Sequence, residues 1–156
     1  MQDKGNVNIF LSEGSCQEEI LSDMKRNNQQ IEKDALVLGK FCGFKPACII
    51  GGVDYDKQRN LIKAGADILI ATPGRLIDFY KQRFFSLKQI EVLVVDEADR
   101  MFDMGFIADL RYLFRSCSPY NKRQTMLFSA TLNYRVMELC YEHMNNPVKV
   151  VIEPEK

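Results

Sequence analysis

The sequence has no surplus of either charge, no paired cysteine motif and no long apolar run, and each absence removes a class of protein. Lys and Arg together number 21, as do Asp and Glu. No overall basic field therefore draws the chain to nucleic acid or anionic lipid, and any nucleic-acid site has to be local. The five cysteines (Cys16, Cys42, Cys48, Cys117, Cys140) form no Cys-x-x-Cys pair and are odd in number. That argues against a disulfide framework or a structural zinc site and for a reduced, cytoplasmic setting. Cys42 and Cys48 lie in apolar stretches, where a thiol packs as a small hydrophobe. No run approaches the roughly 20 residues of a membrane span, and the amino terminus lacks a charged-then-apolar leader, so no membrane is expected. Internal repeats, low-complexity tracts and inter-domain linkers are also missing.

What is present is 156 residues with 46% apolar and 27% charged content, enough for one globular core. From residue 31 onward, short β-branched runs at 47–50, 68–71, 92–95 and 125–128 alternate with amphipathic stretches at 30–41, 55–64, 75–82, 106–114 and 134–143. Runs that are apolar throughout suit strands covered on both faces. Strict alternation predicts an α/β domain with a mostly parallel sheet and right-handed crossovers. The first thirty residues differ: 7–11 reads as a strand, 17–24 as a helix, and Asn27, Asn28, Gln29 and Gln30 form a polar break. Residues 148–152 read as a last strand, followed at 153–156 by the start of a linker. The expected organisation is an atypical segment over 1–29 and a partial domain over 30–156.

The chemistry is concentrated where the run Val92-Leu93-Val94-Val95 meets Asp96-Glu97-Ala98-Asp99. Acids at the carboxyl end of a buried parallel strand stand where open α/β sheets bind ligands. An Asp there can hold Mg²⁺ directly or through water, and an adjacent Glu can orient or deprotonate a water. The plainer reading is an acidic turn stabilised by the dipole of the helix that follows. Thr72-Pro73-Gly74-Arg75 follows a second strand and opens a helix, with Thr72 suited to the cap and Pro73 to the first helical position. Free N–H groups there can grip a phosphate, with Arg75 adding charge. Gly51-Gly52 allows close backbone approach after the strand at 47–50, and Ser129-Ala130-Thr131 offers two hydroxyls after the strand at 125–128. Singly, the last three are an ordinary capped helix, a turn and a chance tripeptide.

Taken together and in this order, the four elements resemble the DEAD-box RNA helicases, with the acidic tetrapeptide matching that family's Walker B motif letter for letter. The resemblance covers about residues 30–156 and implies the first RecA-like domain, a P-loop NTPase fold. It implies that ATP hydrolysis is coupled to RNA unwinding, with ATP and Mg²⁺ as cofactors and RNA as partner. It assigns Asp96 to Mg²⁺, through water, and Glu97 to water activation. Asp99, Ser129 and Thr131 would couple hydrolysis to strand separation. Gly51, Gly52, Thr72, Pro73, Gly74 and Arg75 would contact the RNA backbone. Tyr55-Asp56-Lys57-Gln58, Met101 to Phe106 and Met144-Asn145-Asn146 look most like the bacterial RhlB-type helicases of RNA turnover, which adds RNA-degradation machinery as a possible partner.

The chain departs from that family in one central respect: it has no Gly-x-x-x-x-Gly-Lys-Ser/Thr loop to cradle phosphates. Its one Gly-Lys pair, Gly39-Lys40, is followed by Phe41 and reads as helix surface. The adenine-reading glutamine motif, the Pro-Thr-Arg-Glu-Leu-Ala element and the second RecA-like domain are missing too. The chain is therefore expected to be an inactive fragment of a helicase, its sheet missing the P-loop strand, with residues 7–11 as the candidate to fill the gap. Two other classes stay open. One is a non-catalytic RNA- or protein-binding module derived from a helicase domain. The other is a response-regulator-like phosphoacceptor site, which would need a lone reactive Asp and a distal Lys that nothing singles out.

Overall fold

A computed structural model of the chain describes residues 8–11 and 18–152. Cys16, the ends of the expected strand and helix at residues 7 and 17, and the expected linker at 153–156 lie outside the described residues. Among the described residues five strands form one parallel sheet: β1 (Asn8–Leu11), β2 (Pro46–Ile49), β3 (Ile68–Ala71), β4 (Val92–Val95) and β5 (Gln124–Leu127), in the order β2-β3-β1-β4-β5. The helices are α1 (Glu18–Gly39), α2 (Tyr55–Lys63), α3 (Pro73–Lys81), α4 (Ala98–Asp103), α5 (Ile107–Ser116) and α6 (Tyr134–His143). The α/β class and parallel sheet expected from the alternation are therefore present.

The order of the strands fixes which helix lies on which face. The step from β1 to β2 runs one way across the sheet, whereas β2 to β3, β3 to β4 and β4 to β5 all run the other way. With right-handed crossovers, that places α1 alone on one face and α2 to α5 on the opposite one. The burial pattern agrees. Ile9 and Leu11, Ala47 and Ile49, Leu69 and Ala71, and Leu93 and Val95 are cross-strand neighbours on one face. All are buried in a single cluster with Leu76, Phe79, Met101, Leu110, Leu113, Val136 and Leu139 from the helices. Each of the Leu, Ile, Val, Phe and Met side chains among them contributes about 1.5–3 kcal/mol through burial. On the other face α1 packs on β2 and β3, while Cys48, Val92 and Val94 are only half-buried. The expectation of strands covered on both faces thus holds for β3 but not for β2 and β4, whose burial alternates.

Several boundaries differ from the sequence reading. The polar run at 27–30 does not break the chain: α1 passes through it, so the two expected helices, 17–24 and 30–41, are one. No Pro or Gly stands between Glu18 and Leu38 to end the helix, and Asn28 is fully buried within it. Residues 148–152 form no strand; Val148 and Ile152 are almost wholly exposed, because a β-branched run needs a neighbour to pair with. β2 and β5 each begin and end one residue before the expected runs. A short α4 precedes the helix expected at 106–114, separated from it where Gly105 takes φ +82. Residues 8–11 of the run expected to fill a gap inside the sheet are its middle strand, and among the described residues the two edges are β2 and β5.

Candidate functional site

Ile49, Ala71, Leu11, Val95 and Leu127 lie side by side as the last residues of their strands. The glycine pair, the Thr72 turn, the acidic tetrapeptide and the Ser129 turn each begin within two residues of that row, so one edge of the sheet carries all four. The glycine pair and the Thr72 turn stand on adjacent strands, β2 and β3. The acidic turn and Ser129-Ala130-Thr131 stand on β4 and β5, and β1 separates the two groups.

The acidic turn is fixed from both sides. Asp96 N–H donates to Leu11 O at 2.9 Å, and Ala98 N–H donates to Phe128 O at 3.1 Å. Asp96 Oδ1 accepts the Glu97 N–H at 2.9 Å, and its second oxygen has no hydrogen bond among the described residues. Burial, with the neighbouring Glu97 carboxylate, pushes the Asp96 carboxyl up, against the lowering effect of that N–H bond. Glu97 adopts a left-handed backbone, φ 51 and ψ 45, a conformation that costs about 1–3 kcal/mol outside glycine and that collects at functional sites. Its Oε2 accepts from Arg100 Nη1 at 3.2 Å.

Asp99 behaves in the opposite way. It is 8% exposed, and its Oδ2 accepts both the Thr131 N–H at 2.8 Å and the Thr131 hydroxyl at 2.9 Å. Oδ1 accepts the Arg100 N–H at 3.1 Å. Ser129 Oγ accepts the Asp99 N–H at 3.1 Å and donates to Thr131 O at 2.7 Å. Burial alone would raise the Asp99 carboxyl, but the two Thr131 donors, with Ser129 and the Arg100 N–H, together hold it below the usual carboxylate range. Hydrogen bonds to the ionised form outweigh desolvation here. Asp99 is thus a fastened structural anion, while one Asp96 oxygen stays without a hydrogen bond among the described residues.

The other half of the edge is a pair of backbone turns. Thr72 N–H donates to Ile49 O at 3.2 Å, joining the ends of β2 and β3. Thr72 holds the N-cap position of α3 with Pro73 following, as expected, but its hydroxyl makes no capping bond. That corrects the expected side-chain cap. A Cβ added at Gly51 or Gly74 would meet nothing within 4 Å, so both backbones are open to approach. Gly52 takes φ +69, a left-handed turn that glycine adopts freely. The Arg75 guanidinium stacks over Tyr55 at 5.2 Å and Phe79 at 5.5 Å, and its buried Nη1 has no hydrogen-bond partner among the described residues.

Two contributors escaped the sequence reading. Gln58, 3% exposed, accepts the Ile50 N–H at 2.8 Å and donates to Ile50 O at 3.1 Å and Val53 O at 3.2 Å, bracing the glycine turn from within. Tyr55, one helical turn earlier, supplies the platform under Arg75. Gln58 stands within the tetrapeptide Tyr55-Asp56-Lys57-Gln58 that resembles the RhlB-type helicases, but nothing local says that its amide turns inward. Gly39-Lys40 ends α1. Because α1 carries the chain from the carboxyl end of β1 back to the amino end of β2, that pair sits at the far edge of the sheet from the acids.

A magnesium nucleotide can be tested against these donors. Among the described residues no three His, Cys, Asp or Glu side chains group closely enough to cage a metal. With a single carboxylate to offer, Asp96 would suit a cation that keeps most of its water, as magnesium usually does.

Parallel sheet, acidic turn and hydroxyl turn together define a RecA-like domain of the helicase type. Residues 13–139 match the DEAD/DEAH box helicase family model, and the chain belongs to that family. It is 55% identical over 137 residues to the ATP-dependent RNA helicase RhlB of Xanthomonas axonopodis pv. citri (strain 306), covering 87% of this chain and 24% of that protein. To the RhlB of Vibrio atlanticus (strain LGP32) it is 58% identical over 127 residues, covering 81% and 29%. The chain thus spans about a quarter of the length of the curated relatives it matches. Among solved structures it is similar to a hypothetical ATP-dependent RNA helicase from Sulfolobus tokodaii, with TM-score 0.74, 30% identity, and 91% and 39% coverage. The yeast DEAD-box splicing factor Prp28 gives TM-score 0.74, 29% identity, and 91% and 32% coverage. No described helix is long and apolar enough to cross a membrane.

Proposed function

We propose that this chain is part of the first RecA-like domain of an ATP-dependent RNA helicase of the RhlB kind, and that it supplies half of a nucleotide site whose phosphate cradle lies elsewhere. The observation that carries the reading is the fastening of Asp99 by Thr131 and Ser129. It ties the acidic turn to the hydroxyl turn, so that movement of one reaches the other. In this reading Asp96 holds the hydrated magnesium that accompanies ATP. Glu97 orients and deprotonates the attacking water. Asp99, Ser129 and Thr131 transmit the outcome, and Gly51, Gly52, Thr72, Pro73, Gly74 and Arg75 hold the RNA backbone. When bound, magnesium supplies charge neutralisation at the phosphates. Residues 30–156 carry this partial domain and 1–29 its atypical lead-in, a division of sequence character that α1 crosses without a break. The setting is cytoplasmic, with RNA and RNA-degradation machinery as partners.

By itself the chain hydrolyses no ATP, since backbone amides, a lysine and a hydroxyl are needed to cradle the phosphates. For the isolated chain, that missing loop favours the second reading, a non-catalytic RNA- or protein-binding module. Titrating the chain with a fluorescent ATP analogue and Mg²⁺, beside a longer chain that carries a Gly-Lys-Thr loop and both domains, separates the two. The proposal expects saturable binding and hydrolysis by the longer chain alone. Failure of the longer chain to hydrolyse ATP would count against it.

A further inference from the structure

The opposite edge of the sheet carries a feature that the helicase reading does not use. A cleft of about 1170 Å³ opens there, lined by Lys45 just ahead of β2, Asp67 just ahead of β3, and Ser86 and Gln89 from the loop that leads to β4. Among the described residues that line it, four cations, Lys45, Lys63, Lys81 and Arg83, stand against one carboxylate, Asp67. That carboxylate is already engaged: its Oδ2 accepts the Lys45 N–H at 2.8 Å. A chain without net charge has thus gathered a local excess of positive charge in a concave site, where field lines are focused.

Part of this charge has a local explanation, because Lys63 and Lys81 end α2 and α3 and complement those helix dipoles. Lys45 and Arg83 stand outside any helix and have no such role. Arg83 moreover takes φ +61, a left-handed turn that glycine would make without strain. The cleft is amphipathic as well. Its floor includes the buried Ile62 and Leu69, its wall the half-buried Phe84 and Phe85, and the turn before Lys45 leaves Phe41 and Phe44 exposed.

We infer that this cleft is a docking site for an extended acidic peptide of a partner protein, one in which Asp and Glu residues alternate with aromatic or aliphatic side chains. Its size exceeds the usual small-molecule pocket of about 300–1,000 Å³ and suits a short peptide segment. A single strand of RNA would also meet basic and aromatic groups here, but base stacking needs open ring faces. The Lys63 ammonium lies over the Phe84 ring at 5.9 Å and that of Lys81 over Tyr112 at 5.5 Å. Tyr80 turns toward Phe85 and Tyr112. Carboxylates can pair with those ammonium groups where they stand, while apolar side chains reach the floor between them. The inference is independent of the roles given to Asp96 and Glu97, because the cleft and the acidic turn lie at opposite ends of the strands.

The test is fluorescence anisotropy of the 156-residue chain with a labelled peptide of alternating Glu and Phe or Leu, a labelled peptide with Lys in place of Glu, and a labelled oligouridylate. The acidic peptide should bind saturably and more weakly as salt rises, and the basic one should not. Paired reversal in Lys63→Glu and Arg83→Glu should weaken the acidic peptide about tenfold or more, since attraction becomes repulsion at exposed positions, and should leave oligouridylate binding unchanged. A thermal melt checks the fold of the variant, and Lys63→Gln alone serves if the pair does not fold. No saturable binding of the acidic peptide, or binding indifferent to these substitutions, would overturn the inference. So would oligouridylate that displaces the peptide and is itself lost on charge reversal, which would make the cleft an RNA site.

Discussion

Replacing Asp99 by Asn changes one atom and tests the link between the two turns. The carboxylate accepts three bonds, two at Oδ2 from Thr131 and one at Oδ1 from the Arg100 N–H. An amide has one accepting oxygen. If its NH₂ faces Thr131, two donors confront the Thr131 N–H; if it is turned over, the conflict moves to Arg100. Either way a backbone N–H near a buried group loses its acceptor, at a cost of about 2 kcal/mol. Thr131→Val removes only the hydroxyl bond, and because Thr131 is exposed, water offsets part of the loss, leaving about 1 kcal/mol. The double variant should lose less than the sum, with a coupling of about 1 kcal/mol. Urea denaturation of the four proteins measures that coupling. The Asp99 carboxyl titrates below its ordinary value of 3.8. Its contribution is therefore complete above that value and lost as pH falls through the lower folded-state one. The penalty of Asp99→Asn should accordingly be full at neutral pH and shrink in acid. Single losses that simply add, within about 0.3 kcal/mol, would mean that the two turns are not energetically joined.

The remaining predictions concern neighbouring groups. Asp96 is raised by burial, so its charge destabilises the fold at neutral pH, and the penalty fades as pH falls through the raised value toward 3.8. Asp96→Asn should stabilise the chain by up to about 1 kcal/mol at neutral pH, with no gain in acid, as read from urea midpoints at both conditions. An equal gain at both would show that charge is not the cause. Gln58→Leu should cost about 2 kcal/mol by stranding the Ile50 N–H and C=O, and should speed hydrogen exchange at the Ile50 amide. Unchanged exchange there would remove Gln58 from the bracing of the glycine turn.

How far the sequence speaks for itself depends on how local each cause is. Val92 to Val95 running into Asp96, or Thr72-Pro73 opening a helix, is written in adjacent residues, and strand, turn and helix fall where those residues place them. α1 shows the opposite case. Asn27 to Gln30 has the composition of a loop, yet Asn28 is buried, because tertiary packing overrides weak propensity. Residues 148–152 have the β-branched pattern of a strand but pair with no strand among the described residues, so pattern alone misleads. The site divides similarly. Asp96, Glu97 and Asp99 are legible as a tetrapeptide, and the grouping of Asp99 with Ser129 and Thr131 is implied by the family resemblance. Tyr55 under Arg75, and the inward amide of Gln58, depend on how α2 packs beside β2 and against α3. No spacing in the sequence states that.

Glu97→Gln, placed in a longer chain with the phosphate loop and both domains, tests the central claim most directly. Neutralising that side chain keeps its shape and removes its basicity. The account predicts that kcat for ATP hydrolysis falls by about 10²–10⁴, while the dissociation constant for ATP with Mg²⁺ shifts by less than about threefold, under 1 kcal/mol. Loss of binding and of turnover in equal measure would contradict the role assigned to Glu97, and with it the reading of this edge as a site for hydrolysis.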